Sequence, residues 1–380
     1  MNTMNDAERR IRAYEEMGDH RSGREADNVA TDWMIAELAV VGVEAEAQTW
    51  RFPRVEIHDA SIRFGGWDIP AVPTFDCAFT DHHGLSGVLR SDNGPGIVVW
   101  EFGHDQQERM AAGIYTSFEM ARADGADGII LIMGDPDGHP VVRNAERPFD
   151  PIELPVLQVA PVNAGPLLGA IGSEITMIVD GGRVDAPADN VVARIPGADP
   201  DAAPVTLMTP KSGWYTCAVE RGGGIAVWLE VAGRIAANPG RRTLNLVASS
   251  GHELHHLGLE HYISELGDAA HDVHAWMHLG ASIGARNGRS SYAASDEELF
   301  AIATAALAAQ GIERQAFPVG NAGFGEARNI GEISGRFVSL LGGHPYFHSP
   351  QDTFDRCVDV ELLSRHIEAT ESIVRSMLDS

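Results

Sequence analysis

From Ser249 to His261 the chain reads Ser-Ser-Gly-His-Glu-Leu-His-His-Leu-Gly-Leu-Glu-His. Four histidines (His252, His255, His256, His261) and two carboxylates (Glu253, Glu260) therefore fall in one short tract. Imidazole nitrogen and carboxylate oxygen are the usual ligands of a catalytic divalent ion. A solvated surface helix has little need for so many histidines. The tract follows an alternating apolar run, Thr243 to Ala248, so a strand would deliver these side chains at its end.

One reading is local. His252-Glu253-Leu254-His255-His256 satisfies His-Glu-x-x-His; on a helix, His252 and His256 would sit one turn apart and share a zinc, with Glu253 as base. The longer form with a third histidine fails, because Gly258 and His261 each come one residue too early. The preceding strand also leaves little room for His252 to be in mid-helix. Ser250 followed three residues later by Glu253 is a capping pattern that would start a helix here instead. The other reading takes ligands from distant segments and depends on the elements around the tract.

Those elements alternate. Helical spacing runs from Glu25 to Val41 and a strand from Val43 to Phe52. Between about Leu85 and Val179, strand-like runs at 96–100, 128–133 and 154–159 surround a helical 115–123, which predicts a small mixed α/β module. A second block starts near Asp189. It holds a strand at 205–209, a helix at 225–236 opened by Gly222-Gly223-Gly224 and stopped by Asn238-Pro239-Gly240, and the strand 243–248. Strands at 273–279 and 337–341 and helices at 296–310 and 360–378 follow. Repeated strand–loop–helix units predict a mostly parallel sheet covered by helices.

Composition sets limits. The chain has 380 residues, 44% hydrophobic and 22% charged, with a formal net charge of −26, as expected of a globular protein of more than one domain. That charge argues against nucleic acid and anionic membrane as partners. Lys211 is the only lysine. Cys77, Cys217 and Cys357 are too few and too far apart for a disulfide framework or a cysteine-type zinc site. With a polar, charged start and no apolar run long enough to span a bilayer, a reducing, cytoplasmic setting is expected. The sequence is compatible with a homo-oligomer.

Two further segments complete the pattern: Asn190-Val191-Val192-Ala193, and Phe347-His348-Ser349-Pro350-Gln351-Asp352-Thr353. With Arg242 to Val247 running into the Glu-bearing tract, they resemble the zinc aminopeptidase family that includes bacterial leucyl aminopeptidases, glutamate carboxypeptidase and glutaminyl cyclases. The resemblance covers most of the chain. It implies an α/β zinc-peptidase-like domain built from 1–84 and 181–380, with a protease-associated insert at 85–180. The last segment is similar to the family's His-Thr-Pro-x-Asp-Thr, whose histidine binds metal.

The family holds two zinc ions, and the resemblance implies that this chain keeps one. Pro210 and Ser212 stand where the family has the His and Asp of its His-x-Asp motif, and Gly280 where it has a late Asp ligand. The other ion's positions keep donors: Glu220 for the bridging Asp, Glu253 for the ligand Glu, and His348. The catalytic-base Glu aligns with His252, and an imidazole near its ordinary pKa suits that role. His256 and His278 are additional candidate ligands. Lys211, Trp214 and Tyr215, in the loop replacing the first metal motif, are candidate substrate-binding residues, the lysine for a carboxylate.

These expectations define a single-metal hydrolase, zinc its expected ion, acting on an amide or peptide bond of a small molecule or short peptide. Two alternatives stay open. One is the same fold doing other metal chemistry: cyclisation, lyase action or deamidation. The other is a non-catalytic binding protein, as in the transferrin receptor, a relative that has lost its site.

Overall fold

A computed structural model describes residues 3–103 and 113–380, with residues 3–5 by backbone alone. The chain divides into two compact units, Met1–Arg51 with Pro187–Phe347 and Asp352–Ser380, and Phe52–Ala186 with His348–Gln351. The expected boundaries at 85 and 180 shift to 52 and 186. The reason is that the chain changes unit in mid-strand: Ala45–Phe64 and Glu174–Ile195 are single strands of 20 and 22 residues. No loop punctuates either crossing. The short return at 348–351 has no sequence signal at all.

The first unit is built on four parallel strands, in the order Leu244–Ser249, Val205–Pro210, Ala275–Leu279 and Phe337–Gly343. Antiparallel neighbours flank them: the end of Glu174–Ile195 on one side and Arg289–Ala294 on the other. The four central strands read as apolar runs because both faces are covered. Helix Gly222–Ala237 packs on the sheet, and helices Thr3–Glu16, Glu25–Val40 and Val360–Asp379 pack against it. It can lie so close because its start is glycine: a Cβ at Gly223 would come within 2.0 Å of the Ile283 carbonyl oxygen. Inside the helix, the Trp228 indole donates to the Leu207 carbonyl at 3.0 Å. Two helix starts are capped as their sequences require, with Asp296 accepting from the Leu299 N–H at 3.0 Å and Asp359 from Leu362 at 2.9 Å.

Because the four strands run the same way, the loops leaving them emerge along one edge of the sheet. These are 211–221, 250–256, 280–284 and the segment starting at His344. In open parallel sheets this edge is where ligand sites form.

The second unit has its own parallel strands, Leu85–Arg90, Gly96–Glu101, Ala126–Ile132 and Val156–Val159. Helices Ile114–Ala123 and Pro161–Leu168 belong to it. Its separate core includes Ile97, Phe118, Ile130 and Leu167. Among the described residues, no helix is long and apolar enough to cross a membrane, and Cys77, Cys217 and Cys357 form no disulfide.

Candidate metal centre

The histidine tract is a loop. Residues 251–256 form turns, and the helix begins only at Leu257 and runs to Leu266. His255 and His256 lie in the left-handed region, with φ of 61° and 66°, which an α-helix cannot accommodate. Both the His-Glu-x-x-His helix and the capped start at Ser250 are therefore corrected. The backbone is held from below: the Gly251 N–H faces the hydroxyls of Ser22 and Ser212, each at 2.8 Å, and the Ser250 hydroxyl donates to Asp27 at 2.7 Å.

Glu253 and Glu220 are both buried, and their carboxylates are engaged inside the first unit. Glu253 accepts from the Ser22 N–H at 2.6 Å and from the Ser212 hydroxyl at 2.8 Å. Burial raises its pKa, and these hydrogen bonds oppose the rise. Glu220 takes a hydrogen bond from the Arg221 guanidinium at 2.8 Å, with both side chains sealed from solvent. Arg221 also donates to the Ser212 carbonyl at 2.9 Å. His348 lies in the second unit, where its ring Nδ1–H donates to the Val142 carbonyl at 2.8 Å.

Lys211 is fully buried, and its ammonium is ion-paired with Asp27 and donates to the Asp27 carbonyl at 3.1 Å. This corrects its expected place as a substrate-facing cation. Trp214 is buried and Tyr215 half-buried with a left-handed φ of 61°; burial pushes the Tyr215 phenol up. At Gly280, a Cβ would meet Leu341 Cδ2 at 2.6 Å and His278 Cε1 at 3.1 Å, so the space of a longer side chain is already filled.

Among the described residues, two sets of His, Cys, Asp or Glu ligand atoms lie within 4.8 Å of one another: His252, His256 and Glu326, and His344, Asp352 and Cys357. The expected trio Glu220, Glu253 and His348 is neither. The first set stands on the loop edge of the sheet. His252 Nδ1 meets Glu326 Oε1 at 2.6 Å, and His278 Nε2 meets Glu326 Oε2 at 3.2 Å. The rings of His252 and His256 are 5.1 Å apart. Three histidines singled out in the sequence thus converge on a carboxylate that was not.

The protonation states suit a cation. Burial drives His252 down to about 4, with Arg221 adding to the effect, and burial likewise lowers His256. Burial thus disfavours the charged form of both rings. Burial opposes the charge on Glu326, but the neighbouring histidines and their hydrogen bonds hold it well below the ordinary carboxylate range. Partners behind the rings fix them, an arrangement that is usual in metal sites. His256 Nδ1 faces the Asn329 side-chain oxygen at 2.8 Å, and His278 Nδ1 the Ser339 hydroxyl at 2.8 Å. His256 is only half-buried, so the cluster opens toward solvent on that side.

Glu326 sits in Gly323-Phe324-Gly325-Glu326, where Gly323 and Gly325 have positive φ. Its carboxylate reaches the cluster through a loop, 74 residues from His252. No spacing rule links the two; in sequence Glu326 is an acid in a glycine-rich loop.

No protein-family model matches the chain, and no curated protein matches it. Solved structures do. A zinc aminopeptidase from Bacillus subtilis is 16% identical over 99% of this chain and 95% of its own, with a TM-score of 0.84. A peptidase M28 precursor from Shewanella amazonensis is 18% identical over 100% and 97%, with a TM-score of 0.77. A Porphyromonas gingivalis glutaminyl cyclase is 11% identical over 98% of each, with a TM-score of 0.55. The chain has the zinc-aminopeptidase fold, as the sequence resemblance implied.

Proposed function

We propose that the protein is a single-metal hydrolase acting on an amide or peptide bond of a small substrate, with one divalent ion held by His252, His256 and Glu326. The observation that carries this is the convergence of two imidazoles and one carboxylate whose ligand atoms lie within 4.8 Å of one another. Two His and one carboxylate with an open position is a catalytic zinc set. A bound divalent ion supplies Lewis-acid polarisation of a carbonyl and a lower pKa for water near it. Glu326 balances the ion's charge. Asn329 and Ser339 orient His256 and His278 through Nδ1. His278 Nε2, on the second oxygen of Glu326, is placed to hold and return a proton. The half-buried side of His256 is the route for substrate.

The fold supports a peptidase-like chemistry and does not choose between hydrolysis and cyclisation, since an aminopeptidase and a glutaminyl cyclase both carry it. Elemental analysis of the purified protein tests the reading. The ion count per chain is expected to fall by one in Glu326→Gln and in His256→Ala, and to stay unchanged in Glu220→Gln. An unchanged count in Glu326→Gln would overturn the ligand set. Aminoacyl amides screened against cyclic and N-acylated amides then separate the chemistries.

A second reading has its own observation. The Glu220–Arg221 and Lys211–Asp27 pairs put two buried side-chain cations beside the strand ends where the family resemblance places metal. A protein that had exchanged its ions for internal cations would bind no metal and would serve as a binding module.

A further inference from the structure

The second cluster carries an inference independent of the first. His344, Asp352 and Cys357 are buried in the first unit, at 7%, 1% and 2% exposure. His344 Nδ1 is engaged with the Ser282 hydroxyl at 3.1 Å. Its Nε2 is buried without a hydrogen-bond partner among the described residues, and points at Asp352 Oδ1 from 3.5 Å. With the proton on Nδ1, a ring lone pair faces a carboxylate lone pair inside the protein, a contact that a cation between them would relieve; with the proton on Nε2, the ring would reach Asp352 only across 3.5 Å, beyond a good hydrogen bond.

The spacing fits a metal ion. Zinc–nitrogen and zinc–oxygen bonds of about 2.0–2.2 Å at a tetrahedral angle separate the two donors by about 3.3–3.5 Å. The Cys357 sulfur completes a set whose ligand atoms lie within 4.8 Å of one another. Asp352 is firmly held: Oδ1 accepts from the Val219 N–H at 3.0 Å and Oδ2 from Glu220 at 2.9 Å. Ser282 orients the ring from behind, as second partners of metal-bound histidines do. The alignment Ser282–His344–Asp352 is not a nucleophilic triad, because Ser282 is 2% exposed and gives a substrate no approach.

We propose that His344, Asp352 and Cys357 form a closed structural site for one zinc-like divalent ion, the thiol releasing its proton on binding. Thiolate with imidazole and carboxylate selects a borderline-soft cation such as zinc over calcium or magnesium. The chain leaves the first unit after Phe347 and returns at Asp352. An ion at this place would staple the two ends of that excursion to each other and, through Asp352, to the 219–220 backbone.

The test uses the full chain, stripped with chelator and titrated with cobalt(II). The proposal expects a thiolate-to-cobalt charge-transfer band in the near ultraviolet, saturating at one thiolate-bound ion per chain. The band should vanish in Cys357→Ser, weaken at least tenfold in affinity in His344→Ala, and persist in Glu326→Gln. Persistence in Glu326→Gln separates this site from the one proposed above, whose ion lacks sulfur. In the unmodified chain, where no variant has to fold, cobalt should slow alkylation of Cys357 at least tenfold, read by peptide mapping. No band at any cobalt ratio, a band that survives Cys357→Ser, or alkylation of Cys357 unchanged by cobalt would each overturn it.

Discussion

Replacing Arg221 with methionine should destabilise the protein strongly without touching its metal content. The Arg221 guanidinium is fully buried, 2.8 Å from Glu220, and its Nε–H serves the Ser212 carbonyl at 2.9 Å. Methionine fills similar volume but leaves a buried carboxylate without its counter-charge and a buried carbonyl without its donor. Breaking a buried pair in this way costs about 3–5 kcal/mol. In a unit of this size that lowers the melting temperature by on the order of 10 °C. Glu220→Gln alone should also destabilise, and the double variant should recover about 2–3 kcal/mol, because the two residues act as one pair. Urea unfolding followed by far-ultraviolet circular dichroism measures all three, with metal analysis on the same samples. If Arg221→Met costs less than about 1 kcal/mol, or if Glu220→Gln loses the ion, the buried-pair account fails.

Acid stability should depend on His20. Its ring is buried, stacks on Tyr14 at 3.6 Å and meets the Tyr14 carbonyl at 2.8 Å; burial lowers its pKa from 6.5 to about 4. The unfolded state therefore binds more protons between those values, so the contribution is whole above pH 6.5 and lost as pH falls toward 4. The full effect is about 3 kcal/mol, with about 2 kcal/mol gone by pH 5; unfolding free energies of the wild type and His20→Gln at pH 7 and pH 5 check it, and equal acid slopes would exclude it. Gly280→Asp, which places an acid where the sequence resemblance expected one, should add no further ion and should cost about 1–3 kcal/mol through its clash with Leu341; an extra equivalent of zinc by elemental analysis would contradict this. Gly223→Ala should lose about 3 kcal/mol or more, since its methyl would stand 2.0 Å from the Ile283 carbonyl oxygen, and solubility with urea midpoint reads it out.

Local patterns predicted local structure well. Helices capped by Asp296 and Asp359, and the strands ending at Pro210, Ser249 and Leu279, lie within a few residues of where periodicity puts them. The first helix, Thr3–Glu16, is missing from the sequence reading because its polar residues obscured the face formed by Ala7, Ile11 and Tyr14, which the fold buries. The site was half legible. His252, His256 and His278 stand out by type, yet the local motif failed on backbone conformation, and the carboxylates of Glu253 and Glu220 are engaged by Ser22, Ser212 and Arg221. An acid next to an arginine, as in Glu220-Arg221, reads in sequence as an exposed carboxylate paired with its neighbour; sealing the pair inside a glycine-opened helix start is a tertiary event. Glu326 is invisible for the converse reason: nothing adjacent to it marks it, and only strand order brings its loop to the histidines.

Lys211 has a practical consequence. A chain whose sole lysine is sealed beside Asp27 offers amine-directed reagents no exposed lysine side chain in its native state. Acylation at that lysine then becomes a clock for opening of the segment below the histidine loop, and its rate should follow the stability of the surrounding core.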